Sequence, residues 1–309
     1  MDDLPAHQQL DLADPAVVVD ALLRGAEANN DAACRDGAID HIDARGPSTR
    51  LVATGDLHDN PHHFGLLLQA AGLVDRPVDG TGEPRSHLTL HEIIHSDRLI
   101  MDMDFSFRAL ARVAALKAEH PELVHCLLAN HEIAQMLGSA ILKNGVRCVE
   151  AFNDAIDHAF GEDGPHVRDA VTVFVRSMPL ALRVHTDTAG DLLCCHSLPG
   201  PAAMGKFDAG ILARELTNGD YVPRQGSAHL MVWGRGYDHE QLEDLVERWG
   251  VNAFILGHEH AEHGSLVVPP NALVLNSDHQ RGVYLPIDLT SCPSFEEMAM
   301  EVVPISQAG

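Results

Sequence analysis

The sequence has few basic residues: Lys and Arg together number 21 against 45 Asp and Glu, which gives a formal net charge of -24. Nonspecific nucleic-acid binding depends on clustered cations that neutralise phosphates, so this balance argues against a nucleic-acid partner. The stretch MDDLPAHQQL has acids where a secretory signal has basic residues, and no apolar run is long enough to span a membrane. We therefore expect a cytoplasmic protein without a membrane partner.

Cysteine is also sparse, with 6 residues and no CxxC spacing, so the sequence lacks the usual thiolate zinc motifs. Cys194 and Cys195 lie inside the apolar run DLLCCHS, and we expect buried free thiols rather than disulfides. Histidine is by contrast abundant, since the 21 His equal the sum of Lys and Arg. Several His occur in short sets, and neutral imidazole is the commonest metal ligand.

The 309 residues fit one large α/β core, in which apolar runs of strand character alternate with helical stretches. We predict a single domain over 1–309, with a helical extension at 1–48 and the catalytic core at 49–290. The patterns favour a helix over 15–35, a loop over 75–86 and a helical stretch over 132–178. ALVLNSD and GVYLPIDL are expected to close the fold as an antiparallel hairpin.

Candidate ligands follow five of the predicted strands. Loops at the carboxyl ends of strands converge on one crevice in α/β sheets, so these side chains should meet. A mixed set of carboxylate, carboxamide and imidazole groups suits Mn, Fe or Zn. Two adjacent cations need a ligand with two donor atoms between them, and a carboxylate supplies both. The sets are Asp56 with His58, Glu92 or a nearby acid, Asn130 with His131, His196, and His258 with His260.

Such a pair of metal ions has a specific chemical use. The two ions clamp the attacking and leaving oxygens of an in-line displacement at phosphorus, and they lower the pKa of a bridging water to give hydroxide near neutral pH. The leaving alkoxide still needs a proton. A His beside a metal-bound Asn could supply that proton as a general acid.

Four motifs, GDLHDN, LLANHE, CCHS and LGHEH, resemble in this order the signatures of the calcineurin-like metallophosphoesterases. The stretch LKAEHPELVHCLLANHE, with CCHSLPG and VWGRG later, resembles in particular the phosphoprotein phosphatase branch, which includes Ser/Thr phosphatases and bacterial diadenosine-tetraphosphate hydrolases. The resemblance covers residues 50–290. It implies an α/β fold of four layers, α/β/β/α, with two sheets sandwiched between helices.

The resemblance also implies a role for each matching residue. The first metal would be held by Asp56 and His58, with His260 as a possible third ligand. The second would be held by Asn130, His196 and His258. His131 would be the general acid and would also contact the phosphate, and Glu132 would hold Asn130 and His131 in place.

One motif of that family is missing: a Gly-Asp pair whose Asp bridges the metals, followed by an Asp-Arg-Gly turn. HLTLHEIIHSDRLIMDMDFSFR stands in its place. We predict Glu92 as the bridge, because it follows the alternating run HLTLH as the family Asp follows its strand. Asp97 is the alternative, if the strand continues through His95. Asp102 or Asp104 could instead orient His131.

The phosphate-binding Arg of the missing turn must also come from elsewhere. Arg235 is preferred, because WGRG places it in a Gly-flanked loop near the other strand ends, and a guanidinium offers paired donors to phosphoryl oxygens. Arg98 and Arg108 are alternatives. HEIIH, residues 91–95, also matches the HExxH motif of zinc peptidases, but that chemistry requires a helix and the flanks predict a strand.

We therefore predict a dinuclear metallophosphoesterase that uses two Mn, Fe or Zn ions and hydrolyses phosphomonoesters, as Ser/Thr protein phosphatases do. Its substrate, a phosphoprotein or a small phosphoester, would be attacked directly by hydroxide, without a phosphoenzyme. The alternatives are a dinucleoside polyphosphate hydrolase or a cyclic-nucleotide phosphodiesterase of the same fold. A zinc peptidase and a metal-binding protein without turnover are alternatives of other classes.

Overall fold

The structure is a computed structural model that describes residues 6–46, 48–74, 85–186 and 190–308. The helices within these residues are α1 Ala6–Gln9, α2 Pro15–Asp31, α3 Pro61–Ala70, α4 Phe107–Glu119, α5 Asn130–Leu137, α6 Cys148–Phe160, α7 Gly164–Ser177, α8 Ser227–Val232, α9 His239–Trp249 and α10 Phe295–Met300. The strands are β1 Arg35–Asp36, β2 Ile39–Asp43, β3 Arg50–Thr54, β4 His87–His91, β5 Val124–Leu127, β6 Leu142–Lys143, β7 Val146–Arg147, β8 Ala181–His185, β9 Leu192–Cys195, β10 Ala253–Leu256, β11 Ser265–Val268, β12 Ala272–Leu275, β13 Val283–Asp288 and β14 Val303–Pro304.

Two mixed sheets form the centre of the fold. The larger has seven strands in the order β1-β2-β8-β9-β10-β12-β11, and the smaller has five in the order β14-β13-β3-β4-β5. Strands β3, β4 and β5 run parallel, as do β9, β10 and β12, so each group ends at one edge of its sheet. Helices flank the sheets, and α2 packs against both α4 and α7. The predicted α/β/β/α sandwich is confirmed.

The central strands β5, β9, β10 and β12 are buried along their whole length, because each sheet is covered on both sides there. Leu51 and Ala53 of β3 share one buried apolar cluster with Leu192 and Cys194 of β9, on the other sheet. Val52, which points the opposite way, belongs to the cluster that includes the helices. Burying one such aliphatic side chain stabilises the fold by about 1.5–3 kcal/mol, so this double layer holds the strand ends rigidly.

The predicted closing hairpin is wrong. Strand β12 pairs in parallel with β10 in the seven-stranded sheet, whereas β13 pairs antiparallel with β3 in the five-stranded sheet. The chain thus crosses from one sheet to the other between 275 and 283. Apolar segments that are neighbours in sequence need not pair when each has a longer-range partner that buries both of its faces. The crossing brings Asn276 to the edge where the candidate ligands lie.

The N-terminal and middle segments carry strands as well as the predicted helices. Residues 35–43 form β1 and β2, and β2 pairs in parallel with β8, so the expected helical extension also contributes to the larger sheet. The stretch 132–178 contains the hairpin β6–β7 between helices α5 and α6. Of the predicted loop 75–86, residues 75–84 lie outside the described residues. The single-domain boundaries stay a prediction.

The cysteines are free thiols, as predicted, with Cys34 half-buried and the other five buried. Burial raises the pKa of Cys194 to about 12, which keeps this thiol protonated and unreactive. Among the described residues, no helix combines the length and the apolarity that a membrane crossing requires.

Candidate metal centre

Side chains from both sheets meet at one cleft, where five strands end. Asp56 and His58 follow β3, Glu92 follows β4, and Asn130 starts α5 just after β5. His196 follows β9, and His258 follows β10. All six are buried, with His196 beneath the cleft floor. The cleft has a volume of about 650 Å³, and its lining includes Asp56, His58, Glu92, Asn130, His131, Arg235 and His258.

Glu92 lies at the centre of these residues. Its Oε1 atom is 3.3 Å from His58 Nε2 and 3.2 Å from His131 Nε2, whereas its Oε2 atom is 3.3 Å from His196 Nε2. The two carboxylate oxygens therefore face two different sets of nitrogen atoms. Oε2 is buried and has no hydrogen-bond partner. Burial, with the nearby charge of Asp56, raises the pKa of Glu92 well above its ordinary value.

His196 connects the ligands of the larger sheet to those of the smaller one. Its Nε2 atom lies 2.7 Å from Asn130 Oδ1 and 3.1 Å from His258 Nδ1. Its Nδ1 atom lies 3.4 Å from Asp56 Oδ1. Burial disfavours the Asp56 carboxylate, but the hydrogen bond and charge of His196 outweigh burial and hold the Asp56 pKa well below its ordinary value.

Backbone conformation at the strand ends is unusual in three of these residues. His58, Glu92 and His258 have positive φ angles of 43°, 47° and 69°, a region that side-chain-bearing residues rarely adopt. The Glu92 turn is held by hydrogen bonds to its carbonyl from the backbone N–H groups of Leu57 and His58, at 3.3 and 2.8 Å. Strain of this kind costs of order 1–3 kcal/mol per residue and persists where the surroundings enforce it, commonly at functional sites.

The residues fit a pair of transition-metal ions. Three overlapping groups each hold ligand atoms within 4.8 Å of one another: Asp56 with His91 and His196, His58 with Glu92 and His131, and Glu92 with His196 and His258. Burial lowers the pKa of His258 well below the ordinary value, so this imidazole is neutral and offers a lone pair. Glu92 Oε2 is buried without a hydrogen-bond partner, so it is available to bind a cation.

Solved structures similar to this chain include phosphatases. A protein serine/threonine phosphatase from Saccharomyces cerevisiae with similarity to human phosphatase PP5 has a TM-score of 0.60 at 13% identity, covering 89% of this chain and 83% of that chain. The cold-active protein-tyrosine phosphatase of a psychrophilic Shewanella has a TM-score of 0.56 at 14% identity, covering 85% and 79%. A second structure of a cold-active protein tyrosine phosphatase gives 0.55 at 15%, covering 85% and 78%. The chain has the fold of these phosphatases.

No protein-family model and no curated protein sequence matches the chain. The resemblance inferred from the motifs is thus confirmed at the level of the phosphatase fold. Sequence identities this low do not assign roles to individual residues, so those roles rest on the geometry of the site.

His260 is not brought to the other candidate ligands. Its side chain is exposed at the cleft rim, with its ring 6.2 Å from that of His279. It belongs to none of the ligand groups found among the described residues. Only Glu259 separates it from His258, but the chain turns at His258, where φ is 69°, and His260 lines the cleft at its rim.

Asp97 also lies away from the ligand groups. Strand β4 ends at His91, so it does not continue through His95 as a bridging Asp97 would require. The Asp97 side chain is 55% exposed and forms an ion pair with Lys143 at 3.4 Å. Of the two predicted bridges, Glu92 is the one whose carboxylate lies among the imidazole nitrogens of His58, His131 and His196.

Neither Asp102 nor Asp104 contacts the His131 ring. Asp102 is exposed. Asp104 is buried and accepts a hydrogen bond from the Ser106 hydroxyl at 2.9 Å. The His131 Nδ1 atom instead lies 2.8 Å from His95 Nδ1. An imidazole thus occupies the place where an acid was predicted.

Glu132 has a different contact from the predicted one. Its Oε1 atom accepts hydrogen bonds from the backbone N–H groups of Ile93 and Ile94, at 2.7 and 3.4 Å. It therefore supports the loop that carries Glu92, rather than Asn130 and His131 directly. Burial raises the pKa of Glu132 to about 7.

The three candidate phosphate-binding arginines have different surroundings. Arg235 lines the cleft, and its Nε atom donates to His258 Nε2 at 2.9 Å. Arg98 donates to the carbonyl of His58 at 2.6 Å, which supports the loop after β3. Arg108 stacks on the ring of Phe105, with its guanidinium carbon 4.7 Å from the ring centre. Of the three, Arg235 alone is among the cleft-lining residues.

Three residues that the sequence analysis did not select are part of the site. His91 lies 3.1 Å from His196 through their Nδ1 atoms, and its Nε2 atom donates to the Thr54 carbonyl at 2.8 Å. His95 contacts His131, and Lys143 lines the cleft from the hairpin β6–β7. The sequence does contain a signal for this hairpin, the dipeptide Asn144-Gly145. This dipeptide favours two-residue turns in which both residues have positive φ, and the observed φ angles are 51° and 84°.

The helix that a zinc peptidase requires is not formed at HEIIH. His91 is the last residue of β4, and the positive φ of Glu92 ends the strand. His91 and His95 point to different partners, His196 and His131. The two His of this motif therefore do not share one helix face.

Proposed function

We propose that this protein is a metal-dependent phosphoesterase that hydrolyses phosphomonoesters. The observation that supports it most directly is the position of Glu92. Its two oxygens face separate imidazole nitrogens, with His58 and His131 near Oε1 and His196 near Oε2. A buried carboxylate in this arrangement suits a bridge between two cations.

The ligand sets proposed here are those that the resemblance of the motifs implies, with Glu92 as the bridge. Asp56 and His58 would hold one ion with Glu92, and Asn130, His196 and His258 would hold the other with Glu92. His260 stays a predicted ligand of the first ion, although its side chain is exposed at the rim. When bound, a pair of such ions lowers the pKa of water for attack on phosphorus and neutralises charge on the phosphoryl oxygens.

The protein side chains would position the substrate and move one proton. Arg235 lines the cleft beside His258, where its guanidinium can donate to phosphoryl oxygens. Lys143 adds a second cation to the cleft lining, from the hairpin β6–β7. His131 follows Asn130 directly and faces the centre through Nε2, so it would donate the proton that the leaving oxygen needs.

The cleft accommodates a substrate larger than phosphate. Its volume of about 650 Å³ and its open mouth, with Trp233 and His260 at the rim, leave room for a peptide or a nucleotide next to the phosphoryl group. The similar solved structures are named as serine/threonine and tyrosine phosphatases, so phosphoserine, phosphothreonine and phosphotyrosine peptides are the first substrates to compare.

The test uses the purified full chain, loaded separately with Mn²⁺, Fe²⁺ or Zn²⁺. Metal content is measured by elemental analysis, and hydrolysis is measured with 4-nitrophenyl phosphate, phosphopeptides, bis(4-nitrophenyl) phosphate, diadenosine tetraphosphate and cyclic AMP. His196→Ala should lose metal and activity together. His239→Ala, an imidazole that is 65% exposed on α9, is the matched control and should change neither.

Each outcome selects one function. Metal-dependent hydrolysis of monoesters supports the proposal, and preference for a phosphodiester or a dinucleoside polyphosphate would replace it with one of the alternatives of the same fold. Stoichiometric metal binding without hydrolysis of any substrate would identify a metal-binding protein and reject the phosphoesterase.

A further inference from the structure

The ring of His95 is hydrogen-bonded to the ring of the proposed general acid, His131. The two Nδ1 atoms are 2.8 Å apart, and the rings meet at 65° with centroids 4.9 Å apart. Both side chains are buried, His95 at 1% exposure and His131 at 7%. Water therefore does not compete for this contact, and one of the two Nδ1 atoms must donate to the other.

The contact of the second ring nitrogen of His95, Nε2, determines which of the two Nδ1 atoms donates. Gln135 donates from Nε2 to Asn153 Oδ1 at 2.9 Å, which leaves Gln135 Oε1 facing His95 Nε2 at 3.1 Å. An amide oxygen only accepts, so His95 Nε2 carries the proton. In a neutral imidazole the other nitrogen is then an acceptor. His95 Nδ1 consequently accepts from His131, and His131 Nδ1 carries a proton.

The position of His95 is held independently of His131. Its backbone has a φ angle of 61°, and its N–H donates to the Ser106 hydroxyl oxygen at 3.1 Å. Ser106 is held by the buried carboxylate of Asp104 at 2.9 Å. The ring also packs edge-on against Phe152, at a centroid distance of 5.9 Å. The acceptor for His131 is thus held rigidly by the loop after β4 and by α6.

We infer that His95 is the positioning residue of His131. It fixes the His131 ring with Nδ1–H directed at His95 and Nε2 directed into the cleft, where Nε2 lies 3.2 Å from Glu92 Oε1. This inference rests on the proposed function. It assigns to a neutral imidazole a task that acids perform in many His-containing sites.

The step that depends on this contact is transfer of one proton. The bond between phosphorus and the leaving oxygen breaks with its electron pair on that oxygen, while the oxygen of water forms a new bond to phosphorus and water releases one proton. His131, with a proton on each ring nitrogen in this step, gives the Nε2 proton to the leaving oxygen and keeps the Nδ1 proton shared with His95. The proton released by water returns to His131 Nε2 through solvent, so no net proton is gained or lost. A leaving group of high basicity needs this proton more than one of low basicity.

Two variants separate positioning from packing. His95→Asn keeps an acceptor close to the position of Nδ1, whereas His95→Leu keeps an apolar side chain of similar volume without any acceptor. Turnover is compared on two substrates, phenyl phosphate, with a poor leaving group, and 4-nitrophenyl phosphate, with a good one. We expect His95→Leu to lower kcat for phenyl phosphate about 10- to 100-fold, with kcat for 4-nitrophenyl phosphate close to wild type and metal content unchanged. His95→Asn should restore most of the loss.

A second measurement does not depend on turnover. Long-range proton–nitrogen NMR spectra of the imidazoles, with the His131 signals assigned by their absence in His131→Ala, report which ring nitrogen carries the proton. We expect the Nδ1–H tautomer of His131 in the wild type and in His95→Asn, and a mixture of tautomers in His95→Leu. The Nε2–H tautomer in the wild type would overturn the inference.

The failure of this inference and the failure of the proposed function give different results. Equal losses on both substrates in His95→Leu, or no rescue by His95→Asn, would overturn the positioning role while leaving a phosphoesterase. Absence of metal-dependent hydrolysis in the wild type would overturn the proposed function, and the role of His95 in it as well.

Discussion

The backbone N–H of His258 donates to Asp56 Oδ1 at 2.9 Å, across 202 residues of sequence. This hydrogen bond joins the loop after β10 in the larger sheet to the loop after β3 in the smaller sheet, directly at the candidate metal centre. Gly257 makes the close approach possible. A Cβ atom at this position would lie 2.3 Å from Asp56 Oδ1 and 2.5 Å from His91 Cε1.

Gly257→Ala should therefore displace Asp56 and lower both metal content and turnover. Contacts below 3.0 Å require the neighbouring groups to move, and one of these groups is the Asp56 carboxylate, a proposed metal ligand. Gly65→Ala, in α3 with no atom within 4 Å of the added Cβ, is the matched control and should leave metal content unchanged while stabilising the helix by up to about 1 kcal/mol. Elemental analysis and thermal unfolding measure the two effects. Normal metal content in Gly257→Ala would contradict the close contact.

Glu92→Gln and Asp97→Asn should differ sharply in metal content. The amide keeps the size of the Glu92 side chain but offers one oxygen ligand instead of two, so the wild-type content of about two ions per chain should fall to about one or fewer. Asp97 is exposed and pairs with Lys143, and its variant should retain wild-type content. Elemental analysis of proteins purified in parallel decides between them. Loss of metal in Asp97→Asn alone would restore Asp97 as the bridge.

His131→Ala should bind metal normally, because His131 is not one of the proposed ligands. Its turnover of substrates with poor leaving groups should fall by about two to four orders of magnitude, because the variant lacks the proton donor. Single-turnover rates and metal content on one preparation are the measurements. Unchanged turnover would remove the general-acid role, and lost metal would make His131 a ligand, which its 3.2 Å distance from Glu92 Oε1 permits.

Arg235→Lys should lower kcat/KM by about tenfold or more, although the positive charge is kept. A lysine cannot offer two parallel donors to phosphoryl oxygens, and a hydrogen bond to a charged group contributes about 1.5–3 kcal/mol. Inhibition by inorganic phosphate should weaken in parallel. Arg24→Lys, with a side chain 64% exposed on α2, is the control and should match the wild type. Equal kinetics in both variants would exclude Arg235 from phosphate binding.

Asp40 joins the two sheets far from the candidate metal centre, accepting from Arg35 Nε and from His125 Nδ1, both at 2.7 Å. Burial opposes ionisation of Asp40, but the hydrogen bond from His125 and the charge of Arg35 outweigh it and hold the pKa well below the ordinary value. Asp40→Asn should lower the free energy of unfolding by about 3–5 kcal/mol near pH 7, because a buried charge loses its partner.

The pH dependence of the Asp40 effect has a definite sign. A carboxyl with a lowered folded-state pKa stabilises the fold above its unfolded-state pKa of about 3.9, and this contribution is lost as the pH falls further. The difference between wild type and Asp40→Asn in urea unfolding should therefore shrink below about pH 4. Asp43→Asn, which breaks a pair with the exposed Arg45, should cost less than about 1 kcal/mol. A difference independent of pH would contradict the ionised state of Asp40.

Some features of this protein follow from local sequence. Apolar runs that end in polar residues predicted the strands that carry Asp56, Asn130, His196 and His258, because a buried strand needs apolar side chains on both faces and its loop does not. The α/β/β/α sandwich was implied by the family resemblance that the motifs carry. The Asn144-Gly145 turn could have been predicted as well, since its preference for positive φ is a local property.

Other features were decided by the tertiary structure. The pairing of β12 and β13 with different sheets, and the choice of Glu92 over Asp97 at the centre, depend on contacts between distant segments and on positive φ angles that the surroundings enforce. The contact of His95 with His131, which lie 36 residues apart, is of the same kind. The sequence by itself determined which ligand types stand at the strand ends, and packing between the sheets determined which of them meet, because side-chain chemistry is local whereas the distance between two side chains is set by the whole fold.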